Sequence, residues 1–253
     1  MSTPPPKTAP AYFERLPDIA KRSESRARWQ KRFTNPEHYQ ESVRSYFRLI
    51  AGLDVAVGQI RKALAASGLS GNTVIDYSSD NGYFLAERGL ADKWYAYEES
   101  IRTPLIVVDP RLPAALRGKQ RREMTLNIDI APTLLAAAGV PSPQSLQGRS
   151  LFPLLSGSPP AWRKEWFYSH LFGGMPPKVI IPRSEGLRTE RYKYIRWTDP
   201  RPAVEEVYDL QRDPEELQNL AGSRVRAKLE DRWTIWNRAL GNWRADQPWK
   251  EPK

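Results

Sequence analysis

Cysteine is absent from the 253 residues of this sequence. Its absence excludes disulfides, thiolate metal sites and a cysteine nucleophile within these residues. Histidine is almost as rare, with His38 and His170 as its two positions. A metal centre built from several histidines and a serine–histidine relay are therefore both disfavoured.

Long apolar runs are also missing, so no transmembrane helix is predicted. The proline-rich beginning of the sequence has no apolar core of the kind that a secretory signal peptide requires. We therefore expect no signal peptide in these residues, and the compartment stays open.

The formal net charge is +10, which favours anionic partners such as nucleic acid, anionic lipid or acidic substrates. The basic residues do not form one stripe, and no zinc finger, helix-turn-helix or RNP-type motif occurs. Nucleic-acid binding is therefore not expected as the main function.

The order of patterns along the sequence predicts three regions. Residues 1–35 form a basic, proline-rich N-terminal arm. Residues 36–158 begin with a long amphipathic helix that opens at Pro36 and stops at Gly68. Two buried strands and a helix follow, and this order predicts an α/β layer with a mostly parallel sheet flanked by helices. Residues 159–253 contain short alternating segments, which predict a small antiparallel sheet with a terminal helix.

The most informative polar residues follow the first predicted strand. Residues 79–82 (Ser-Asp-Asn-Gly) place a carboxylate and an amide oxygen at the C-terminal edge of that strand, where α/β sheets bind ligands. Oxygen ligands of this kind suit Ca²⁺ or Mg²⁺. Gly82 would let the chain turn closely past an ion, and Lys93 could bring a cation to an anionic substrate group. A short segment of this composition is also typical of an ordinary turn.

A longer series of segments makes the pattern specific. Residues 79–82 are followed by residues 87–93 (Glu-Arg-Gly-Leu-Ala-Asp-Lys) and by residues 97–106 (Tyr-Glu-Glu-Ser-Ile-Arg-Thr-Pro-Leu-Ile). This order and spacing resemble the sulfatase family of the alkaline-phosphatase-like superfamily, and the resemblance covers most of residues 38–222. It implies that the chain is the C-terminal half of that α/β fold, with a small antiparallel subdomain at its end.

The resemblance also implies roles for individual residues. Asp80 and Asn81 match the family's second pair of metal ligands, where the metal is calcium, or magnesium in some members. Lys93 matches the lysine that contacts the sulfate. His170 falls in a variable segment that can face the substrate, so it is a candidate substrate contact.

The family's nucleophile has no counterpart in this sequence. Family members carry paired aspartates and a Cys/Ser-x-Pro-x-Arg motif, whose first residue becomes formylglycine and attacks the sulfur of a sulfate ester. We therefore expect a sulfatase fragment that is inactive alone, with formylglycine in the missing N-terminal half. That half is either encoded separately or is the remainder of a full enzyme of which this chain is a fragment, and a stand-alone remnant is the third alternative. The substrate is expected to be a sugar or aryl sulfate. The alternatives are a basic module that binds sulfated or phosphorylated ligands without turnover, and a phosphodiesterase or phosphatase of the same superfamily.

Overall fold

The computed structural model describes residues 10–157, 161–173, 179–242, 248 and 250. The first nine residues of the predicted N-terminal arm and the predicted boundary between residues 158 and 159 lie outside these ranges, so that division stays a prediction. The helices are α1 (Pro10–Glu14), α2 (Asp18–Lys21), α3 (Glu24–Arg32), α4 (Pro36–Ala66), α5 (Glu98–Ile101), α6 (Ile130–Ala137), α7 (Phe152–Leu155) and α8 (Arg224–Asn242). The strands are β1 (Ile75–Ser78), β2 (Phe84–Leu85), β3 (Ala91–Asp92), β4 (Leu105–Val108), β5 (Glu165–His170), β6 (Ser184–Thr189), β7 (Tyr192–Trp197) and β8 (Val204–Asp209).

Helix α4 begins and ends where the sequence predicts. The Asn35 side chain accepts a hydrogen bond from the backbone N–H of His38 at 2.7 Å, and Pro36 occupies the first turn, where its missing N–H costs nothing. Gly68 adopts a φ of 69° just after the helix and so terminates it. Helix α4 is long, but none of the described helices has both the length and the apolar character to cross a bilayer.

Strands β1 and β4 pair with each other in antiparallel orientation. This orientation differs from the parallel arrangement predicted for the sheet as a whole. A parallel pair needs a long crossover, usually through a helix. The connection of residues 79–104 contains the small β2–β3 hairpin, a 3₁₀ turn and the four-residue α5, but no long crossover helix, and it returns the chain in the opposite direction. The two strands were also predicted to be buried, yet β1 is half-buried and β4 is exposed on one face.

The C-terminal region forms the predicted antiparallel sheet, in the order β5-β6-β7-β8. Helix α8 packs against it, and Leu229 and Trp236 are buried in a cluster with Leu187, Tyr194 and Val207. The alternation of side chains along each strand supplies one apolar face for this contact.

A second core packs the N-terminal helices against the segment that follows β1 and against the C-terminal sheet. Leu16 and Ala20, from the N-terminal helices, are buried with Phe84 and Tyr97 and with Trp197 of β7. Residues 10–33 therefore fold as helices against the rest of the molecule, and the segment between β2 and α5 lies at the centre of this core.

Asp129 stands directly before α6, where the sequence favours an N-cap residue, but the 3₁₀ turn Asn127–Asp129 precedes the helix and the Asp129 side chain has another role. The Asp129 side chain makes no cap to α6. It is fully buried, forms an ion pair with Arg163, and accepts hydrogen bonds from the backbone N–H groups of Leu126 and Arg149, both at 2.8 Å. A buried carboxylate needs such partners more than a helix end does.

Candidate active site

The three polar residues singled out near the first strand meet in the structure. Lys93 Nζ donates a hydrogen bond to Asn81 Oδ1 at 2.5 Å and lies 3.6 Å from Asp80 Oδ2. The side chain of Asp80 is 82% exposed and that of Lys93 is 41% exposed. The cluster therefore opens to solvent, where an anionic ligand could reach the ammonium.

The turn that carries Asp80 and Asn81 is fixed by backbone contacts. The Gly82 N–H donates to the Ser100 carbonyl at 2.7 Å, and a Cβ at Gly82 would lie 2.2 Å from the Glu99 carbonyl oxygen. Glycine is therefore required at position 82 because the chain passes closely against α5. This close approach explains the glycine without the bound ion that the sequence suggested.

The backbone around Lys93 is held from α3, which the sequence did not indicate. Asp92 precedes Lys93, and both Arg28 and Arg32 donate hydrogen bonds to its carboxylate. Burial raises the pKa of Asp92, but hydrogen bonds from the two arginines and from Tyr83 outweigh burial and hold this pKa below its ordinary value. The position of Asp92 next to Lys93 was the one available signal. Nothing in the basic run of residues 21–32 indicated that Arg28 pairs with Asp92, which lies 64 residues further along the chain.

Tyr83 belongs to the same cluster. Arg32 Nη1 donates to Tyr83 Oη at 3.0 Å. Burial and the negative charge of Asp92 together raise the pKa of Tyr83 to about 12. The phenol is therefore neutral at ordinary pH and serves as a hydrogen-bonding group.

His170 is the last residue of β5. It makes no described contact with Asp80, Asn81 or Lys93. Its Nε2 is buried and has no hydrogen-bond partner among the described residues. Burial lowers the pKa of His170 below its ordinary value, against the opposing effects of the Phe172 backbone and the Asp199 charge. No contact among the described residues joins His170 to Lys93, so its role as a substrate contact stays a prediction.

The described part of the chain supplies only a share of a metal site. Asp80 and Asn81 offer hard oxygen ligands, but Ca²⁺ takes about six to eight. Within the ranges described, no group of three or more His, Cys, Asp or Glu side chains is placed to hold a metal ion. The donor set therefore fits a divalent cation only if further ligands come from elsewhere.

Two family models match the chain. The model of sulfatases matches residues 3–140, and the model of the C-terminal region of N-sulphoglucosamine sulphohydrolase matches residues 86–237. The chain is 37% identical over 196 residues to N-acetylglucosamine-6-O-sulfatase of Bacteroides thetaiotaomicron, which covers 76% of this chain and 34% of that protein. It is 34% identical over 200 residues to human arylsulfatase K, which covers 75% of this chain and 35% of that protein.

Solved structures agree with these matches. A structure determined in complex with its substrate D-glucosamine-2-N,6-O-disulfate superposes with a TM-score of 0.72 and 31% identity, covering 93% of this chain and 50% of that one. A phosphonate monoester hydrolase from Silicibacter pomeroyi superposes with a TM-score of 0.81 and 24% identity, covering 97% and 51%. The latter likeness shows the fold alone, and the two likenesses together with the family models support the alkaline-phosphatase-like α/β fold. The chain spans about a third of the length of the curated relatives and about half of these structures, and it belongs to the sulfatase family.

Proposed function

We propose that this chain supplies Lys93 as a sulfate contact, and Asp80 and Asn81 as metal ligands, to an enzyme that hydrolyses sulfate esters. The observation that carries the proposal is the meeting of the Lys93 ammonium with both oxygen-bearing side chains at 2.5 and 3.6 Å. A compact ammonium group with three donors can bind and neutralise oxygens of a sulfate group.

The rest of the catalytic group comes from another part of the family's fold. The metal is Ca²⁺, with Mg²⁺ as the alternative, because both prefer oxygen ligands. The nucleophile is the formylglycine that the family uses, since no residue of this chain matches its motif. The chain alone is therefore inactive in this proposal.

An exposed apolar face supports the existence of such a complement. Helix α4 has 31 residues, yet only Val43 is buried, although an amphipathic helix normally buries its apolar stripe. Strand β4 exposes apolar side chains as well. The exposed large apolar residues of α4 and β4 are Phe47, Leu49, Ile50, Leu53, Val55, Ile60, Ile106 and Val108.

The occupant of this face, in our proposal, is the N-terminal half of the same α/β domain. The solved relatives carry about as much chain again beyond the region that aligns. The strands and helices of that half would cover α4 and β4, and they would bring the missing ligands and the nucleophile to Asp80. A separately encoded polypeptide could supply them.

The substrate in this proposal is a sulfated sugar. Support comes from the relative named N-acetylglucosamine-6-O-sulfatase and from the 31%-identical structure with its sulfated glucosamine. An aryl sulfate would serve as a convenient chromogenic probe.

The test is a chimera in which the residues preceding the aligned region of the Bacteroides relative are joined to this chain. We expect turnover of glucosamine 6-sulfate or 4-nitrophenyl sulfate by the chimera and none by the chain alone. The relative's own complete protein is the positive control. A folded chimera that binds sulfated sugars without any turnover would contradict the proposal and would favour a non-catalytic basic binding module.

A further inference from the structure

Lys93 lies between two residues with left-handed backbone conformation. The φ of Asp92 is 70° and that of Trp94 is 92°. Residues with a side chain adopt this region rarely, and they keep it only where surrounding contacts hold them. The direction in which Lys93 leaves the backbone therefore depends on the contacts of its two neighbours.

One face of α3 supplies the contacts before Lys93. Ser25, Arg28 and Arg32 are spaced by three and four residues, so they lie on the same side of the helix. The Ser25 hydroxyl donates to the carbonyl of Ala91 and accepts from its N–H at 3.2 Å. The two arginines donate to different oxygens of the Asp92 carboxylate.

Arg28 also contacts the residue after Lys93. Its guanidinium carbon lies 4.9 Å from the centre of the Trp94 ring, which is a cation–π contact. Its Nε donates to Glu24 at 2.8 Å, and this bond fixes the plane of the guanidinium. On the other side, the Tyr168 hydroxyl donates to the Trp94 carbonyl at 2.7 Å.

These contacts are shielded from solvent. The Asp92 side chain is only 11% exposed, whereas the two arginines are 36% and 39% exposed. Charge-assisted hydrogen bonds to a carboxylate in such a place are stronger and more directional than those on an open surface. The strongest contacts of α3 in this region are therefore those to Asp92, the residue before Lys93.

We propose that helix α3 positions the Lys93 ammonium against Asn81 by fixing the carboxylate of Asp92. Arg28 and Arg32 are positioning residues, because they touch the neighbours of Lys93 and not the anion. The inference rests on the function proposed for Lys93, but the positioning can be measured without turnover.

Carbon-13 dimethylation of the lysines followed by NMR provides the test on the whole chain. The Lys93 signal is assigned by its loss in Lys93→Arg. Asp80→Asn should shift this signal in the otherwise unchanged chain, because Asp80 lies 3.6 Å from Nζ. In an Arg28→Ala background the same Asp80→Asn change should no longer shift it.

Two further backgrounds separate positioning from general stability. Arg28→Lys should restore part of the shift, because an ammonium can still pair with Asp92. Lys31→Ala should leave the shift intact, because Lys31 is exposed on the same helix. Hydrogen exchange of residues 89–94 should become about tenfold faster in Arg28→Ala, with the β5–β8 sheet unchanged.

An undiminished shift in the Arg28→Ala and Asp92→Asn backgrounds would overturn the proposal. Asp92→Asn carries the test alone if Arg28→Ala fails to fold. If Asp80→Asn does not shift the Lys93 signal even in the otherwise unchanged chain, the contact between Asp80 and Lys93 is wrong, and this proposal fails with it. Absent turnover in the chimera, in contrast, would overturn the proposed function and leave the positioning untouched.

Discussion

Arg88 forms a buried ion pair with Glu216, in which Nη2 and Oε2 are 2.8 Å apart and the side chains are 2% and 0% exposed. The second oxygen of Glu216 pairs with Lys193 of β7 at 2.5 Å. Arg88 lies five residues before Lys93, whereas Glu216 and Lys193 belong to the C-terminal region. This carboxylate therefore ties the segment that carries the site to the antiparallel sheet.

Glu216→Gln should destabilise the chain strongly. The substitution removes the carboxylate that two buried cations share, and breaking a buried pair costs about 3–5 kcal/mol. Arg88 keeps Glu99 and Lys193 keeps Glu98 as partners, so we expect a loss at the lower end of this range. The midpoint of urea unfolding measures the loss. Glu41→Gln is the matched control, because Glu41 pairs with Arg48 on the exposed surface of α4, and its midpoint should hardly move. Equal midpoints for the two variants would contradict the structural role of Glu216.

Glu206 should give the stability a measurable pH dependence. Burial raises its pKa, against hydrogen bonds from Tyr208, Trp197 and Tyr97. The folded chain therefore binds a proton more readily at this carboxyl than the unfolded chain does. The resulting stabilisation is present below about pH 4.5 and is lost as pH rises through the folded-state pKa.

Glu206→Gln removes this titration, so the difference between the two proteins isolates it. The free energy of unfolding of the unchanged chain should fall relative to that of the variant as pH rises from about 4.5 through the folded-state pKa of Glu206. Denaturation at several pH values measures both. The carboxyl of Asp92, whose pKa is lowered, contributes equally to both proteins and cancels. A difference that is constant with pH, or that rises, would refute the assignment.

Two glycine substitutions should have opposite effects. Gly82→Ala places a methyl group against the Glu99 carbonyl oxygen, so we expect a loss of about 1–3 kcal/mol in the free energy of unfolding. Gly58→Ala meets no atom within 4 Å on α4 and should add about 0.5–1 kcal/mol. Chemical denaturation of the two variants checks both signs. A neutral Gly82→Ala would show that α5 yields to the added methyl group.

The exposed face of α4 should make the isolated chain self-associate. Phe47 and Leu53 are 54% and 46% exposed, and apolar patches of this kind normally mark an interface. Changing both to Glu should give a monodisperse monomer by analytical ultracentrifugation, whereas Ile235→Glu on α8 should not. A sharp two-state melt of an unchanged, monodisperse chain would count against a missing complement.

Local signals predicted much of the fold. Pro36 and Gly68 marked the ends of α4, and the short alternating segments predicted a small antiparallel sheet with a terminal helix. These features depend on neighbours in sequence, which explains their success. The family resemblance, and not periodicity, brought Asp80, Asn81 and Lys93 together.

The remaining features depend on distant partners. The antiparallel pairing of β1 and β4 follows from the path of the connection between them, which no local pattern reveals. Asp129 resembled a helix cap in sequence but pairs with Arg163, 34 residues away. Arg28 and Arg32 lie in the region predicted as a basic N-terminal arm, and no sequence signal indicated that they pair with Asp92.

The most direct test of the central claim is the turnover of a sulfate ester by the chimera with Lys93→Met. The central claim is that Lys93, beside Asp80 and Asn81, binds the sulfate group of the substrate. Loss of a charge contact to the reacting group should lower kcat/KM about 10²-fold or more, with the fold intact. Lys228→Met, which removes an exposed lysine of α8, should leave kcat/KM unchanged. Equal turnover by the Lys93→Met and Lys228→Met chimeras would contradict the account.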